Sequence, residues 1–84
     1  MSIDLQLREE LPEDALVFDN PAFDHAIIGV TIDGRVVYDY HIMIMELAND
    51  EGWSGEDATD WVEYNTIRSI QYAGPNAPII MYII

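Results

Sequence analysis

The sequence contains no cysteine and no lysine, and its only basic residues are three arginines. The lack of cysteine excludes a disulfide scaffold, a cysteine-ligated zinc or iron–sulfur site and a thiol nucleophile. Sixteen acidic residues give a net charge of −13, which argues against direct binding to nucleic acid or to an anionic membrane. No apolar run reaches the roughly 18 residues of a membrane span. The acidic N-terminus lacks the apolar core of a signal peptide, so we expect a cytoplasmic protein.

The length and the apolar content predict one small folded domain. Half of the 84 residues are hydrophobic, which is normal for a globular chain and argues against a disordered acidic tail. We therefore expect a single acidic α+β domain over residues 1–84. Residues 1–13 fit a strand and a helix about equally well, and we expect this segment to be flexible.

The charge is concentrated in two blocks. Residues 1–24 carry a net charge of −6, residues 25–45 carry −1, residues 46–63 carry −7 and residues 64–84 carry +1. The densest acidic block therefore lies in the second half of the chain, and it contains no basic residue. Two interpretations remain open: a solvated face without a partner, or a surface for a basic partner.

The strand signals centre on a hairpin. The β-prone runs 26–32 and 35–40 flank Asp33-Gly34, and this dipeptide between two such runs favours a type I′ turn. A two-residue turn there would place Gly29 opposite Tyr38. The apolar runs 15–18 and 78–84 are predicted as further strands. Because run 78–84 is apolar on both faces, we expect it inside a sheet or at a dimer seam.

Two helices are predicted between the hairpin and the last strand. The apolar spacing in residues 41–50 indicates a helix that has Asp39 as its N-cap and ends at Gly52. A second helix is expected to begin at Ser54, which opens a loose capping box, and to end near residue 65. The predicted fold is a small antiparallel sheet of three to four strands, including the 26–40 hairpin, with two short helices on one face.

Motifs for catalysis and cofactor binding are not recognisable. His25 and His41 lack an accompanying nucleophile motif, and they are interpreted as ordinary surface or half-buried histidines. The stretch 49–52 does not fit the acid and glycine spacing of an EF-hand loop. We therefore expect no catalytic residue, no metal site, no cofactor and no enzymatic activity.

The acidic block offers a candidate partner-binding surface. Glu56, Asp60 and Glu63 recur at helical spacing, where neighbouring side chains stand about 5–6 Å apart. Such a row of negative charges resembles a DNA backbone electrostatically and would attract a basic groove. The predicted partner-binding residues of this block are Glu46, Asp50, Glu51, Glu56, Asp57, Asp60 and Glu63.

Three phrases carry a resemblance to a known family. Residues 28–40 (IGVTIDGRVVYDY), 63–68 (EYNTIR) and 77–82 (APIIMY) resemble a family of small acidic proteins of bacteriophages, prophages and other mobile elements. The resemblance spans about residues 15–82 and implies a mobile-element origin. Small acidic proteins in that setting are often inhibitors of host defence, and anti-CRISPR proteins are similar in size and charge. The absence of lysine and the presence of Trp53 and Trp61 depart from the family's usual pattern.

Two functional hypotheses follow. The first is a phage-encoded anti-CRISPR protein that mimics DNA and blocks target-DNA binding by a Cascade-type CRISPR effector in the bacterial cytoplasm. Its partner would be a basic DNA-binding groove, with no direct contact to nucleic acid or membrane. The alternative is a protein-interaction module that does not mimic DNA, such as an antitoxin or a regulatory subunit of a phage protein. The chain is expected to be a monomer or a homodimer through its C-terminal strand.

Overall fold

A computed structural model describes residues 15–84 and shows a small α+β domain, as predicted. The prediction of a flexible segment 1–13 lies outside the described residues. In chain order the elements are a 3-10 helix (Pro21–Ala26), β1 (Ile27–Val30), β2 (Val36–Asp39), α1 (Tyr40–Glu51), α2 (Gly55–Trp61), a π-helical segment (Val62–Ile67), α3 (Arg68–Ile70) and β3 (Ile79–Met81).

The sheet formed by residues 15–84 has three strands in the order β1-β2-β3 and is mixed rather than antiparallel. β1 and β2 are antiparallel, whereas β3 runs parallel to β2 with Tyr38 opposite Ile80. The prediction of an antiparallel sheet was wrong for β3 because helices separate the two strands, and a helical crossover is the connection that parallel strands require. The Nε of Arg35 donates a hydrogen bond of 2.8 Å to the Ala77 carbonyl, which joins the starts of β2 and β3.

The hairpin forms, but its loop is longer than predicted. β1 ends at Val30 and β2 begins at Val36, and the Thr31 N–H donates to the Arg35 carbonyl at 2.8 Å. Val30 therefore lies opposite Val36, and Gly29 pairs with Val37 instead of Tyr38. A register shift between Ile27 and Gly29 then places Ile27, rather than Ile28, opposite Tyr38. The prediction of a two-residue turn was wrong. The Thr31 hydroxyl accepts a second hydrogen bond, from the Arg35 backbone N–H, and this pair of bonds closes a wider loop.

The outer strand predictions need two corrections. Residues 15–18 form no strand; instead, the Phe18 N–H donates a 3.1 Å hydrogen bond to the Tyr38 hydroxyl, and the two rings lie 4.7 Å apart. The C-terminal strand is shorter than predicted, covering Ile79–Met81, and it forms one edge of the sheet. Among the strands of residues 15–84, β3 therefore does not occupy the predicted interior position, and a seam with another chain stays a prediction.

One core joins the sheet to the helices. Fully buried side chains of the 3-10 helix, β2, α1 and the π-helical segment pack together, among them Phe23, Tyr38, Met43, Leu47 and Val62. Burial of one large apolar side chain stabilises the folded protein by roughly 1.5–3 kcal/mol. Within residues 15–84, no helix has the length and apolarity needed to cross a membrane.

Candidate functional site

The junction between α1 and α2 is fixed by the caps that the sequence predicts. The Asp39 carboxylate accepts the Ile42 N–H at 3.2 Å and begins α1. Gly52 ends it with a left-handed φ of 70°, a conformation that glycine adopts without steric cost. The Ser54 hydroxyl then accepts the Asp57 N–H at 3.1 Å and begins α2. Only two residues separate Gly52 from α2, so the acidic residues on both helices are held close to this junction.

The seven predicted partner-binding residues lie on these helices and their connection. Glu46 is half-buried, and the other six are exposed. The two arginines in the described part of the chain are engaged elsewhere. Arg35 binds the Ala77 carbonyl, and the Arg68 guanidinium lies 4.8 Å from the centre of the Tyr64 ring. The acidic block therefore presents its negative charge to solvent.

Two of these acidic residues line a groove between the 3-10 helix and α1. Glu46 and Asp50 face an open space of about 400 Å³ whose other lining residues are Pro21, Ala22, His25 and Asn49. The predicted placement of His25 at the surface is confirmed, since its side chain is exposed. The position of His25 beside Glu46 and Asp50 was not predictable from local sequence, because it depends on the packing of the 3-10 helix against α1.

Asp57 and Asp60 line a second open depression, of about 430 Å³, on the other helix. Its remaining lining residues are Trp53, Trp61, Tyr64 and Asn65. These positions recur three to four residues apart from 53 to 65, the spacing of one helix face. That periodicity places Asp57, Trp61 and Tyr64 on one face, but Trp53 precedes α2, so its place beside them depends on the turn between the helices.

Glu63 has a different neighbour from the other acidic residues. The hydroxyl of Tyr40 donates a hydrogen bond to its carboxylate. Burial raises the pKa of Tyr40, and the negative charge of Glu63 and the nearby Tyr82 raise it further. Glu51 and Glu56 are exposed and line neither of the two depressions. The acidic block is therefore a continuous stretch of chain but is distributed over several neighbouring surfaces.

The histidines and acidic residues within residues 15–84 do not assemble into a metal centre. In the part of the chain that the structure describes, no three side chains of His, Asp or Glu are placed to hold one ion. His41 instead packs beside Tyr40 and Tyr82, with ring centres 5.7 and 5.9 Å away.

Comparison with known proteins found no family model, no curated protein and no solved structure that matches this chain. The functional argument therefore depends on the geometry and charge of the surfaces described above.

Proposed function

We propose that this protein is a phage-encoded inhibitor of host defence, an anti-CRISPR protein that mimics DNA and blocks target-DNA binding by a Cascade-type effector complex. The observation that carries the proposal is the acidic block 46–63, in which six of seven carboxylates are exposed and no basic residue occurs. The resemblance to mobile-element proteins supports the phage origin and the choice of a defence system.

The physical basis is electrostatic competition. Duplex DNA carries one negative charge per about 1.7 Å of its axis, and DNA-binding grooves neutralise it with lysine and arginine. The helices at residues 46–63 present carboxylates at neighbouring positions about 5–6 Å apart. A basic groove would attract this surface over a long range, and arginines that read the protospacer-adjacent motif would meet carboxylates instead of bases.

Competition with DNA tests this function. A purified Cascade-type complex is mixed with labelled target DNA and increasing amounts of the protein, and the bound DNA is measured by gel shift. We expect loss of DNA binding at near-stoichiometric protein, with an inhibitory affinity that falls steeply as salt rises. Unchanged DNA binding at a large excess of protein would contradict the proposal.

A second candidate function is supported by the C-terminal edge of the sheet. β3 is an edge strand, and the exposed side chains after it include Tyr82, Ile83 and Ile84. An apolar groove of about 290 Å³ adjoins it, lined in part by Ile67, Ile70 and Ile79. An antitoxin or regulatory subunit could pair with a partner there. Such a complex would be nearly insensitive to salt, so the same salt titration separates the two functions.

A further inference from the structure

The depression beside Trp53 combines aromatic walls with two carboxylates. Trp53, Trp61 and Tyr64 supply three aromatic rings, and Asp57 and Asp60 supply the negative charge. Both aspartates are exposed, and no basic residue is among those that line the space.

The wall of the depression is held in place by the surrounding structure. The Trp61 ring packs on the buried Phe23, with ring centres 6.4 Å apart. The backbone carbonyl of Trp61 accepts a hydrogen bond of 3.1 Å from the side-chain amide of Asn65. The backbone N–H of Trp53 donates a hydrogen bond of 2.9 Å to the Ala48 carbonyl, which positions Trp53 directly after α1. The Trp53 side chain nevertheless remains 38% exposed and Tyr64 remains 69% exposed. The rings are therefore positioned by the fold and accessible from solvent.

The chemistry of this lining selects a cation. The face of an aromatic ring is electrostatically negative and attracts guanidinium and ammonium groups, most strongly on tryptophan. The neighbouring carboxylates add a charge-assisted partner for the same group. An anion would be repelled, and an apolar side chain would strip water from the carboxylates without compensation. Tyr64 already holds one guanidinium, that of Arg68, at 4.8 Å from its ring centre.

The geometry points to a binding site in which one arginine side chain of the partner protein stacks on Trp53 and pairs with Asp57 or Asp60. This inference rests on the proposed function, since it names the anchor by which a basic groove would hold the acidic block. Arginine suits the site better than lysine because its planar guanidinium stacks on rings and pairs with carboxylates through two parallel hydrogen bonds.

The test uses peptides and the intact protein. A blocked Gly-Ser peptide carrying one arginine is titrated into ¹⁵N-labelled protein, and the indole N–H signals of Trp53 and Trp61 are followed by NMR. The matched peptide carries citrulline, which has a similar shape but no charge. We expect the arginine peptide to shift the Trp53 signal with an affinity about tenfold higher than that of citrulline. Equal affinities would overturn the site, and a lysine peptide that binds as tightly as arginine would overturn the assignment to arginine.

Protein variants locate the binding. Trp53→Ala, and separately the pair Asp57→Asn and Asp60→Asn, should weaken arginine-peptide binding about tenfold. The pair Asp19→Asn and Asp33→Asn removes the same charge at exposed positions outside the acidic block and should retain most of the affinity. In the Asp57/Asp60 variant, binding is followed by the indole N–H signal of Trp53. In Trp53→Ala, which lacks that signal, binding is followed by the indole N–H signal of Trp61. Equal weakening by both charge-neutralising pairs would show general attraction and overturn the site.

This test is independent of the proposed function, because the peptide titration contains no effector complex. A protein that binds the arginine peptide but leaves DNA binding by the effector unchanged would retain the site and reject the proposed function. A protein that competes with DNA but does not distinguish arginine from citrulline would retain the function and reject the site.

Discussion

The Tyr40 hydroxyl donates a hydrogen bond to the carboxylate of Glu63, so a buried residue at the start of α1 is joined to the π-helical segment. Tyr40 is only 8% exposed, and its ring also packs on Tyr82 with ring centres 4.9 Å apart. This one side chain therefore contacts both the acidic block and the segment that follows β3.

Tyr40 should make the fold sensitive to alkaline pH. Its pKa is raised in the folded protein, first by burial and then by the charge of Glu63. Above the ordinary tyrosine pKa of about 10 the unfolded chain loses this proton while the folded chain keeps it, so stability falls as pH rises. Below that pH both states are protonated and the contribution is constant. Denaturation curves measured from pH 8 to 11 should show a smaller alkaline loss for Tyr40→Phe than for the wild type.

Glu63→Gln supplies the control for this effect. It removes the charge but keeps the length of the side chain, so the pKa of Tyr40 should move back toward its ordinary value. The titration of Tyr40 in Glu63→Gln is obtained from tyrosinate absorbance against pH, by subtracting the curve of the double variant that also carries Tyr40→Phe. An identical titration of Tyr40 in the wild type and Glu63→Gln would contradict the assigned contact.

The left-handed glycine between the two acidic helices should be costly to replace. Gly52 has a φ of 70°, and an added Cβ would meet no atom within 4 Å, so the cost of Gly52→Ala comes from the backbone alone. We expect a loss of about 1 kcal/mol in the free energy of unfolding. The matched control is Gly55→Ala in the first turn of α2, where there is also free space but no positive φ. That variant should be neutral or more stable by up to about 1 kcal/mol, as measured by urea denaturation.

If both alanine variants lost the same stability, the backbone conformation of Gly52 would not explain its place at the junction.

The exposed edge strand β3 should pair with β3 of a second molecule. Residues 64–84 contain no acidic residue, so two chains of charge −13 can approach here with the least repulsion. Ile83→Glu should convert the dimer to a monomer in sedimentation velocity. Ile83 is 49% exposed and lies two residues after the end of β3, so the new carboxylate would place a negative charge at the seam. Ile32→Glu is the matched control, since Ile32 is fully exposed in the hairpin loop and far along the chain from β3.

A wild-type protein that sediments as a monomer at high concentration would contradict the seam, as would an Ile32→Glu variant that dissociates as completely as Ile83→Glu.

Local signals in the sequence predicted the local structure, and contacts between distant residues decided the rest. Asp39, Gly52 and Ser54 act through hydrogen bonds within three or four residues, and all three caps are present as predicted. The direction of β3 was not predictable in this way because it depends on how the intervening helices return the chain to β2.

The candidate site shows the same division between local and long-range information. Exposure of Asp60 follows from helical spacing, whereas the contact of Glu63 with Tyr40 joins residues 23 positions apart. The depression between Trp53 and Trp61 required the observed turn between the helices, since one tryptophan precedes α2 and the other ends it.

The central claim, that the acidic block replaces DNA in a basic groove, is tested most directly by matched charge reversals in the gel-shift competition with a Cascade-type complex. One variant carries Glu56→Lys and Asp60→Lys; the other carries Asp19→Lys and Asp33→Lys, which changes the net charge equally at exposed positions outside the block. Glu63 is left unchanged because it also holds Tyr40. We predict that the first variant loses inhibition while the second retains it. Equal inhibition by the two variants, with both shown to be folded by circular dichroism, would contradict the claim.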